Sequence, residues 1–425
     1  VSRLPGWGGA CALALALVGM QAASAEGVTI RFTCGGGDVS DTPCVRAAQE
    51  WAELTGNRVQ LVSMPFSGTE QLALYQQLLG SRSPDIDVMT IDSVWPGVLG
   101  DHLVDLAGHL PAELTDGQFP RVVDNNIVEG RMVALPAFAD VSILYYREDL
   151  LEKYGRPVPT TWDELTETAA YIQREERAAG NRGMWGYAFQ GRSYEGLTVN
   201  ALEWLLSEGG SNYIDADGRV DVLSAPAERA LTRAAGWVGT ISPPGTLNYT
   251  EEEARAVFQN GNAVFMRNWS YAWALGQNAN SAVRGKIGVT LMPRGEGGGH
   301  VSGLGGWGLA VSRYSRHPEQ AASLVAHLGG YETQKRAAIE RSAMPTFEAL
   351  YDDPEVLAAV PFMAELREPL ANAMPRPASE TRTLYPRFTT AVFSRTHRAL
   401  SGESSADEAL QGLNRDLLRI SRRGW

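Results

Sequence analysis

Residues 28–92, VTIRFTCGGGDVSDTPCVRAAQEWAELTGNRVQLVSMPFSGTEQLALYQQLLGSRSPDIDVMTID, carry an alternation of periods that sets the architecture. The first seven residues alternate as a half-buried strand does and run into a glycine-rich loop. From 42 to 56 the apolar residues Val45, Ala48, Trp51, Ala52 and Leu54 recur at helical spacing. Residues 59–64 read as a second strand. A helix over 69–80 carries Leu72, Leu74, Tyr75, Leu78 and Leu79, and 84–91 is a third strand ending at Asp92. This strand–helix–strand order implies an α/β fold with a parallel sheet and right-handed crossovers. Ligands of such sheets sit beyond the carboxyl ends of the strands. The loop after Cys34, the turn at 65–69 and Asp92-Ser93 are therefore expected along one edge.

The pattern continues through the chain. Strands are expected at 131–135, 140–146, 184–189, 286–292 and 309–312. Helices are expected at 148–154, 197–209, 225–241, 318–329, 331–341, 353–370 and 405–423. Thr161, with Glu164 three residues on, has the form of a capping box opening another helix. A short acidic helix at 251–259 leads into a strand at 263–266. That strand is expected to break at Arg267-Asn268 into an aromatic cluster of Trp269, Tyr271 and Trp273. GLGGWGLAV at 303–311 sets Trp307 among glycines, where backbone N–H groups can come close to a ligand. Two indoles on separate segments suit opposite walls of a slot for something flat and hydroxyl-rich, such as a sugar ring; the alternative is that both are core aromatics.

A chain of 425 residues exceeds one ordinary core, so two domains are expected, and 44% hydrophobic with 20% charged residues is the composition of a soluble globular protein. A net charge of −12 argues against nucleic acid or an anionic membrane as the main partner. Residues 1–25 read as an export signal, with Arg3, an apolar run at 10–20 and the A-x-A site Ala23-Ser24-Ala25. The run is too short to span a bilayer. Cys11 lies at the very start of the run and leaves with it, so Cys34 and Cys44 remain as an even pair that an oxidising compartment would join. No P-loop, GxSxG, HExxH or C-x-x-C motif occurs, and the six histidines lack metal-ligand spacing. No catalytic residue, metal or cofactor is expected. GEGGG at 295–299 is expected as a hairpin tip rather than a phosphate loop.

Carboxylates at strand ends are the candidate polar groups. Asp38 and Asp41 in the glycine loop, Asp92, and Asp140 should face a crevice between domains, where a carboxylate accepts two sugar hydroxyls at once. Asp41 has the alternative of capping the following helix, and Asp92 of capping a turn.

These residues resemble the extracellular solute-binding proteins of ABC sugar importers, in particular the maltose/trehalose-binding cluster. The resemblance rests on PDIDVMTIDSVWPGVL, on GRMVALPAFADVSILYYREDLLEKYG with PVPTTWDEL, on GNAVFMRNWSYAW and on GGWGLAVS. It implies a two-lobed periplasmic-binding-protein fold of type II character, each lobe a mostly parallel sheet flanked by helices. The implied division is 26–137 and 288–342 for the first lobe, and 138–287 and 343–425 for the second. By motif position it implies Asp92 and Asp140 as hydroxyl-binding carboxylates and Trp269 and Trp307 as stacking platforms, with Tyr271 and Gly306 beside them. Arg376 in MPRPASETRTLYP is the implied basic ligand residue, with Arg382 as its competitor, and Tyr194-Glu195 in QGRSYEGL is also expected to face the cleft. Asp41 joins this set from its place on the sheet edge, since the glycine loop is not a general feature of the family.

The function implied is a non-catalytic, periplasmic, monomeric receptor that closes over an α-linked disaccharide and delivers it to permease subunits in the inner membrane. A secreted glycoside hydrolase would use similar carboxylates and tryptophans, but requires a carboxyl pair ~5–9 Å apart across the bond. The same clamp around a polyamine, a peptide or a metal complex is a third reading. Secreted protein is expected to start at Glu26 with Cys34 and Cys44 joined; an intact mass that includes Cys11, or two free thiols, would sink this reading.

Overall fold

The computed structural model describes Val1 and residues 27–37, 39–215 and 217–425. The export signal, Cys11, the cleavage site, Glu26 and Asp38 lie outside the described residues. The described strands are β1 (Thr29–Phe32), β2 (Arg58–Leu61), β3 (Val88–Asp92), β4 (Ile127–Val128), β5 (Arg131–Met132), β6 (Leu135–Val141), β7 (Ile143–Arg147), β8 (Trp185–Ala188), β9 (Ala263–Asn268), β10 (Ile287–Thr290) and β11 (Leu304–Val311).

The opening pattern forms as expected. β1 pairs in parallel with β2 and with β3, and the helices Pro43–Thr55 and Gly68–Gly80 make the crossovers. Thr42 caps the first helix by accepting from Val45 N, and Trp51 on its buried face packs in the core beneath this sheet. Cys34 and Cys44 are joined, with Cα atoms 6.0 Å apart.

Besides the small antiparallel pair β4-β5 there are two large sheets, and both are mixed, which corrects the expectation of mostly parallel ones. The first has the order β2-β1-β3-β11-β6, with β11 antiparallel to β3 and to β6. The second has the order β10-β7-β9-β8, in which only β8 and β9 are parallel. The chain crosses between sheets at the ends of β6 and β11, so one leaves the first sheet where the other enters, and they run in opposite directions.

The same pairing moves the lobe boundaries. β6 stays in the first sheet as far as Val141 and β7 begins the second at Ile143, so the first crossing is at Ser142, beyond the expected 137/138. β10 belongs to the second sheet, so the second crossing lies between Thr290 and Leu304 and not at 287/288. A third crossing passes Met374: the helices of 354–371 pack on β6 and on the helix Tyr331–Arg341, whereas Tyr385–Leu400 packs on Glu195–Ser207, so the boundary implied at 342/343 moves as well. The three meet: Ser302 Oγ donates to the Ser142 carbonyl at 2.8 Å, Met374 N to Ser302 O at 3.0 Å, and Leu304 N to Met374 O at 2.8 Å.

Among the helices, Trp162–Ala178 opens with the expected Thr161/Glu164 capping box. The helix expected over 353–370 is instead three short pieces, Pro354–Ala359, Met363–Leu366 and Arg367–Ala371, because Pro361 lacks the N–H a continuous helix needs. Tyr385–Leu400, not anticipated from the sequence, is a long helix whose Phe388, Val392 and Phe393 are buried; Pro386 sits in its first turn, where the missing N–H costs nothing. GEGGG closes against the end of the helix Glu195–Ser207 rather than standing out as a hairpin tip. Gly295 N donates to Ser207 O at 2.8 Å, and a Cβ on Gly298 would lie 2.1 Å from that same oxygen.

β9 continues through Arg267-Asn268 instead of breaking there. Arg267 is fully buried, and its guanidinium meets Glu203 on the helix Glu195–Ser207 in a two-point contact, Nη2–Oε1 2.7 Å and Nε–Oε2 3.1 Å. Glu203 also accepts from the Ser142 hydroxyl and from Gly303 N, which ties the ion pair to two crossings. Removing one partner of a buried pair strands a charge and costs ~3–5 kcal/mol. Arg267→Met is expected to destabilise by about that amount in urea unfolding. The double variant Arg267→Met/Glu203→Leu should recover a large part, and a double variant as unstable as the sum of its singles would count against this account.

Candidate functional site

A cleft of about 810 Å³ lies between the two sheets, bordered by the carboxyl ends of β1 and β3, by β6 and β11, and by the segments that follow β9. β11 brings Trp307 into register with Asp92 on one side and Phe138 on the other. The strand shifts register between Trp307 and Gly308, and Gly306 has φ of +120°. A Cβ on Gly306 would sit 2.6 Å from the Phe138 carbonyl oxygen, so glycine is required there. Trp307 is half-buried and braced edge-on by Trp95, ring centres 5.4 Å apart, leaving part of the indole open to the cleft.

Trp269 follows directly from β9. Its ring lies over the Arg267 guanidinium at 4.2 Å, and its Nε1 donates to Glu251 at 3.4 Å. A cation beneath one face of an indole holds the ring flat. Tyr194 donates to the other oxygen of Glu251 at 2.7 Å, and Tyr271 donates to Glu252 at 2.7 Å. Burial first, and then Glu252, push the Tyr271 phenol well above its ordinary range, so it stays a hydroxyl donor. Trp273 turns away and packs on Phe362, ring centres 4.9 Å apart.

Arg376 sits at the junction of the lobes. One guanidinium nitrogen donates to Asp92 Oδ1 and Ser93 Oγ at 3.1 Å each, and another to Glu195 Oε1 at 2.7 Å. Burial opposes the Arg376 cation, but Asp92, Tyr385 and Glu195 outweigh it and hold the group protonated above its ordinary value. Glu195 opens the helix Glu195–Ser207 and also accepts from Tyr385 and Thr389 on the helix Tyr385–Leu400. Asp140 is 7% exposed, and its carboxylate accepts from Val141 N at 3.1 Å and Ser270 N at 3.2 Å. Burial raises its pKa to about 7 despite those bonds and the Arg267 charge.

The cleft thus collects Asp92, Asp140, Glu195 and Arg376, and beside them Trp269, Tyr271, Gly306 and Trp307. It does not take in Asp41. That carboxylate is 90% exposed, pairs with Arg46 at 2.6 Å, and leaves the capping role to Thr42. Arg382 is also outside the lining, paired with Glu129 at 3.1 Å on the surface. Sequence reasoning missed Glu251 and Glu252, which looked only like the acidic start of a helix, and missed Trp95, Phe138, Tyr385 and Thr389. The one available signal was the Tyr194-Glu195 and Glu251-Glu252 pairing of polar residues at helix starts on the same edge.

The family model for bacterial extracellular solute-binding proteins matches residues 44–335. The chain belongs to this family. A probable ABC transporter-binding protein of Deinococcus radiodurans is 45% identical over 98% of this chain and 99% of its own length. The mannitol-binding protein of Pseudomonas aeruginosa is 26% identical over 83% of this chain and 85% of its own. Among solved structures, maltose-bound MalE3 of T. maritima superposes with a TM-score of 0.86 at 35% identity, covering 92% of this chain and 100% of that one. The two-lobed fold of periplasmic binding proteins is therefore shared.

Asp140 makes the stability of the solute-free protein pH-dependent. The folded state keeps this proton to about pH 7, whereas an unfolded aspartate releases it near pH ~4. Between those values the folded state binds more protons, so wild-type stability falls as pH rises through the window. Asp140→Asn lacks this effect. Its melting temperature relative to wild type is expected to climb from pH 4 to 7 and then level off; a difference that stays constant across the titration would contradict the raised pKa.

Proposed function

We propose that the protein is the exported, monomeric receptor of an ABC importer for an α-linked disaccharide such as maltose or trehalose, handing it to permease subunits in the inner membrane. The observation that carries the reading is the pairing of two half-buried indoles, Trp269 and Trp307, with a rim of Asp92, Glu195, Glu251 and Arg376 in one cleft between lobes. The apolar faces of a pyranose match indole, and its hydroxyls match carboxylates and a guanidinium. Discrimination comes from the polar set, since a buried group left without its partner costs ~1–3 kcal/mol. The maltose named for MalE3, at 35% identity over nearly the whole chain, supports the sugar class. In this reading the three crossings at Ser142, Ser302–Gly303 and Met374 are the hinge.

A thermal-shift panel of mono- and disaccharides tests the ligand class, because a ligand at about a hundredfold over its dissociation constant stabilises by ~2.7 kcal/mol. Glucose release from maltose or trehalose would point to a hydrolase instead. Trp307→Ala is expected to lower sugar affinity by about a hundredfold while shifting the solute-free melting temperature little; Trp269→Ala should lower affinity as much and also cost ~1–2 kcal/mol of stability, because it uncovers the buried Arg267 guanidinium. Trp51→Ala, in the packed core, should cost ~3–5 kcal/mol of stability. If the two cleft variants unfold as readily as Trp51→Ala and their folded fraction binds sugar normally, the aromatic slot does not exist.

A further inference from the structure

The disulfide Cys34–Cys44 lies in the wall of the cleft. Its two cysteines, ten positions apart, are both half-buried and both line the cleft. A disulfide sealed in a core is inert, whereas this one faces the space that a solute would fill.

The residues on either side of Cys34 hold the neighbouring strand. The Thr33 hydroxyl accepts from Thr90 N at 2.8 Å and bonds the Thr90 hydroxyl at 3.1 Å, and Gly35 N donates to Thr90 Oγ1 at 2.9 Å. Thr33 also bonds the Tyr75 hydroxyl at 2.8 Å, and Tyr75 donates to Thr90 O at 3.1 Å. Thr33, Tyr75 and Thr90 are all buried. Tyr75 meets Trp95 edge-on with ring centres 6.0 Å apart, and Trp95 meets Trp307 in the same way at 5.4 Å. From Thr90, β3 runs two residues further to Asp92, which is in register with Trp307. The disulfide therefore heads a continuous chain of contacts that ends at one indole and one carboxylate of the candidate site.

Between the two sulfurs lie three consecutive glycines, with φ of +95° at Gly35 and +78° at Gly37. Glycine opposes rearrangement least, so the cross-link is what keeps this segment from relaxing. Cys44 is the second residue of the helix Pro43–Thr55, whose first turn carries no acidic side chain. A thiolate at a helix N-terminus is stabilised, which makes Cys44 the better leaving group and Cys34 the sulfur that is attacked.

From this arrangement we propose that Cys34–Cys44 is a redox-sensitive positioning bond of the solute site: a dithiol entering the cleft reduces it, the glycine loop slackens, and solute affinity falls. One thiolate of the dithiol attacks the Cys34 sulfur and expels the Cys44 thiolate; the second then displaces the Cys34 thiolate from the mixed disulfide. Two electrons pass to the protein, the two protons of the dithiol end on Cys34 and Cys44, and the dithiol becomes a disulfide. By linkage, a solute that binds the oxidised form better also protects the bond. The inference rests on the sugar-binding reading of the cleft and adds a covalent control to it.

Titration calorimetry with maltose and trehalose on the secreted protein, oxidised and after reduction with dithiothreitol, tests it. Reduction is expected to weaken binding about tenfold, the scale of one lost anchoring contact. Cys34→Ser/Cys44→Ser should match the reduced form with or without dithiothreitol. Tyr75→Phe, which cuts the contact chain and leaves the disulfide, should bring the oxidised-to-reduced ratio close to one. In dithiothreitol redox buffers, saturating sugar should lower the midpoint potential of wild type by about 30 mV, which is the same tenfold for a two-electron couple. A shift that levels off as sugar rises supports the proposal, since the reduced protein is then folded and still binds. A shift that grows without limit marks reduction by global unfolding and overturns it. Equal affinity in the two redox states, or a ratio that Tyr75→Phe leaves intact, also overturns it while the sugar-binding reading stands. An oxidised protein that binds neither sugar overturns that reading, and this one with it.

Discussion

The buried contact between Glu203 and Arg267 is the constraint on which the rest of the structure depends. An ion pair with no solvent access is tolerable only if every remaining donor and acceptor finds a partner. Here the partners are supplied by Ser142, by Gly303, by Gln190 at 3.3 Å from Arg267 Nη1, and by the face of Trp269. Satisfying the charges therefore fixes the end of β9, the helix Glu195–Ser207 and two of the crossings relative to one another. The Trp269 indole in the cleft inherits its orientation from this arrangement. So does Glu195, at the start of the same helix, and with it Arg376 and Asp92. Gly303 is part of the same packing, since a Cβ there would lie 2.5 Å from Val199.

Local features of the fold were legible because they are encoded locally. The run from β1 to β3, the capping box at Thr161 and the even cysteine pair each depend on residues within a few turns of one another. What escaped was nonlocal. Strand β10 has the same hydrophobic pattern whichever sheet it joins, and only its pairing with β7 assigns it to the second one. Arg267 looked like a strand breaker, because a charged residue at an interior position is legible only when its partner, 64 positions away, is known. The helix Tyr385–Leu400 was hidden by Pro386, although proline in a first turn marks a start as often as it marks a break.

The site divides along the same line. Trp269, Asp92 and Asp140 stand at or next to strand ends, where the topology sends them to the cleft edge, whereas Trp307 lies inside β11 at its register shift. Glu251 escaped because acidic residues in a first helical turn already have an explanation in the helix dipole. Its bonds to Tyr194 and Trp269 give it a second role that no local pattern reveals. Asp41 shows the reverse case: it lies in the right loop, but a neighbouring Arg46 claims it on the outer surface.

The shortness of the first crossing has a kinematic consequence. Ser142 alone separates a strand hydrogen-bonded into one sheet from a strand hydrogen-bonded into the other. Any rotation of one lobe against the other must concentrate in the dihedrals around that residue, which then acts as a fulcrum while the longer crossings bend to follow. Points near a fulcrum hardly travel. Asp140 lies two residues from Ser142, and Gly305, which abuts the Trp269 ring, lies two from Gly303. In such a rotation the deep wall of the cleft would keep its geometry and offer a finished surface throughout. The mouth would sweep the longest arc and come together last.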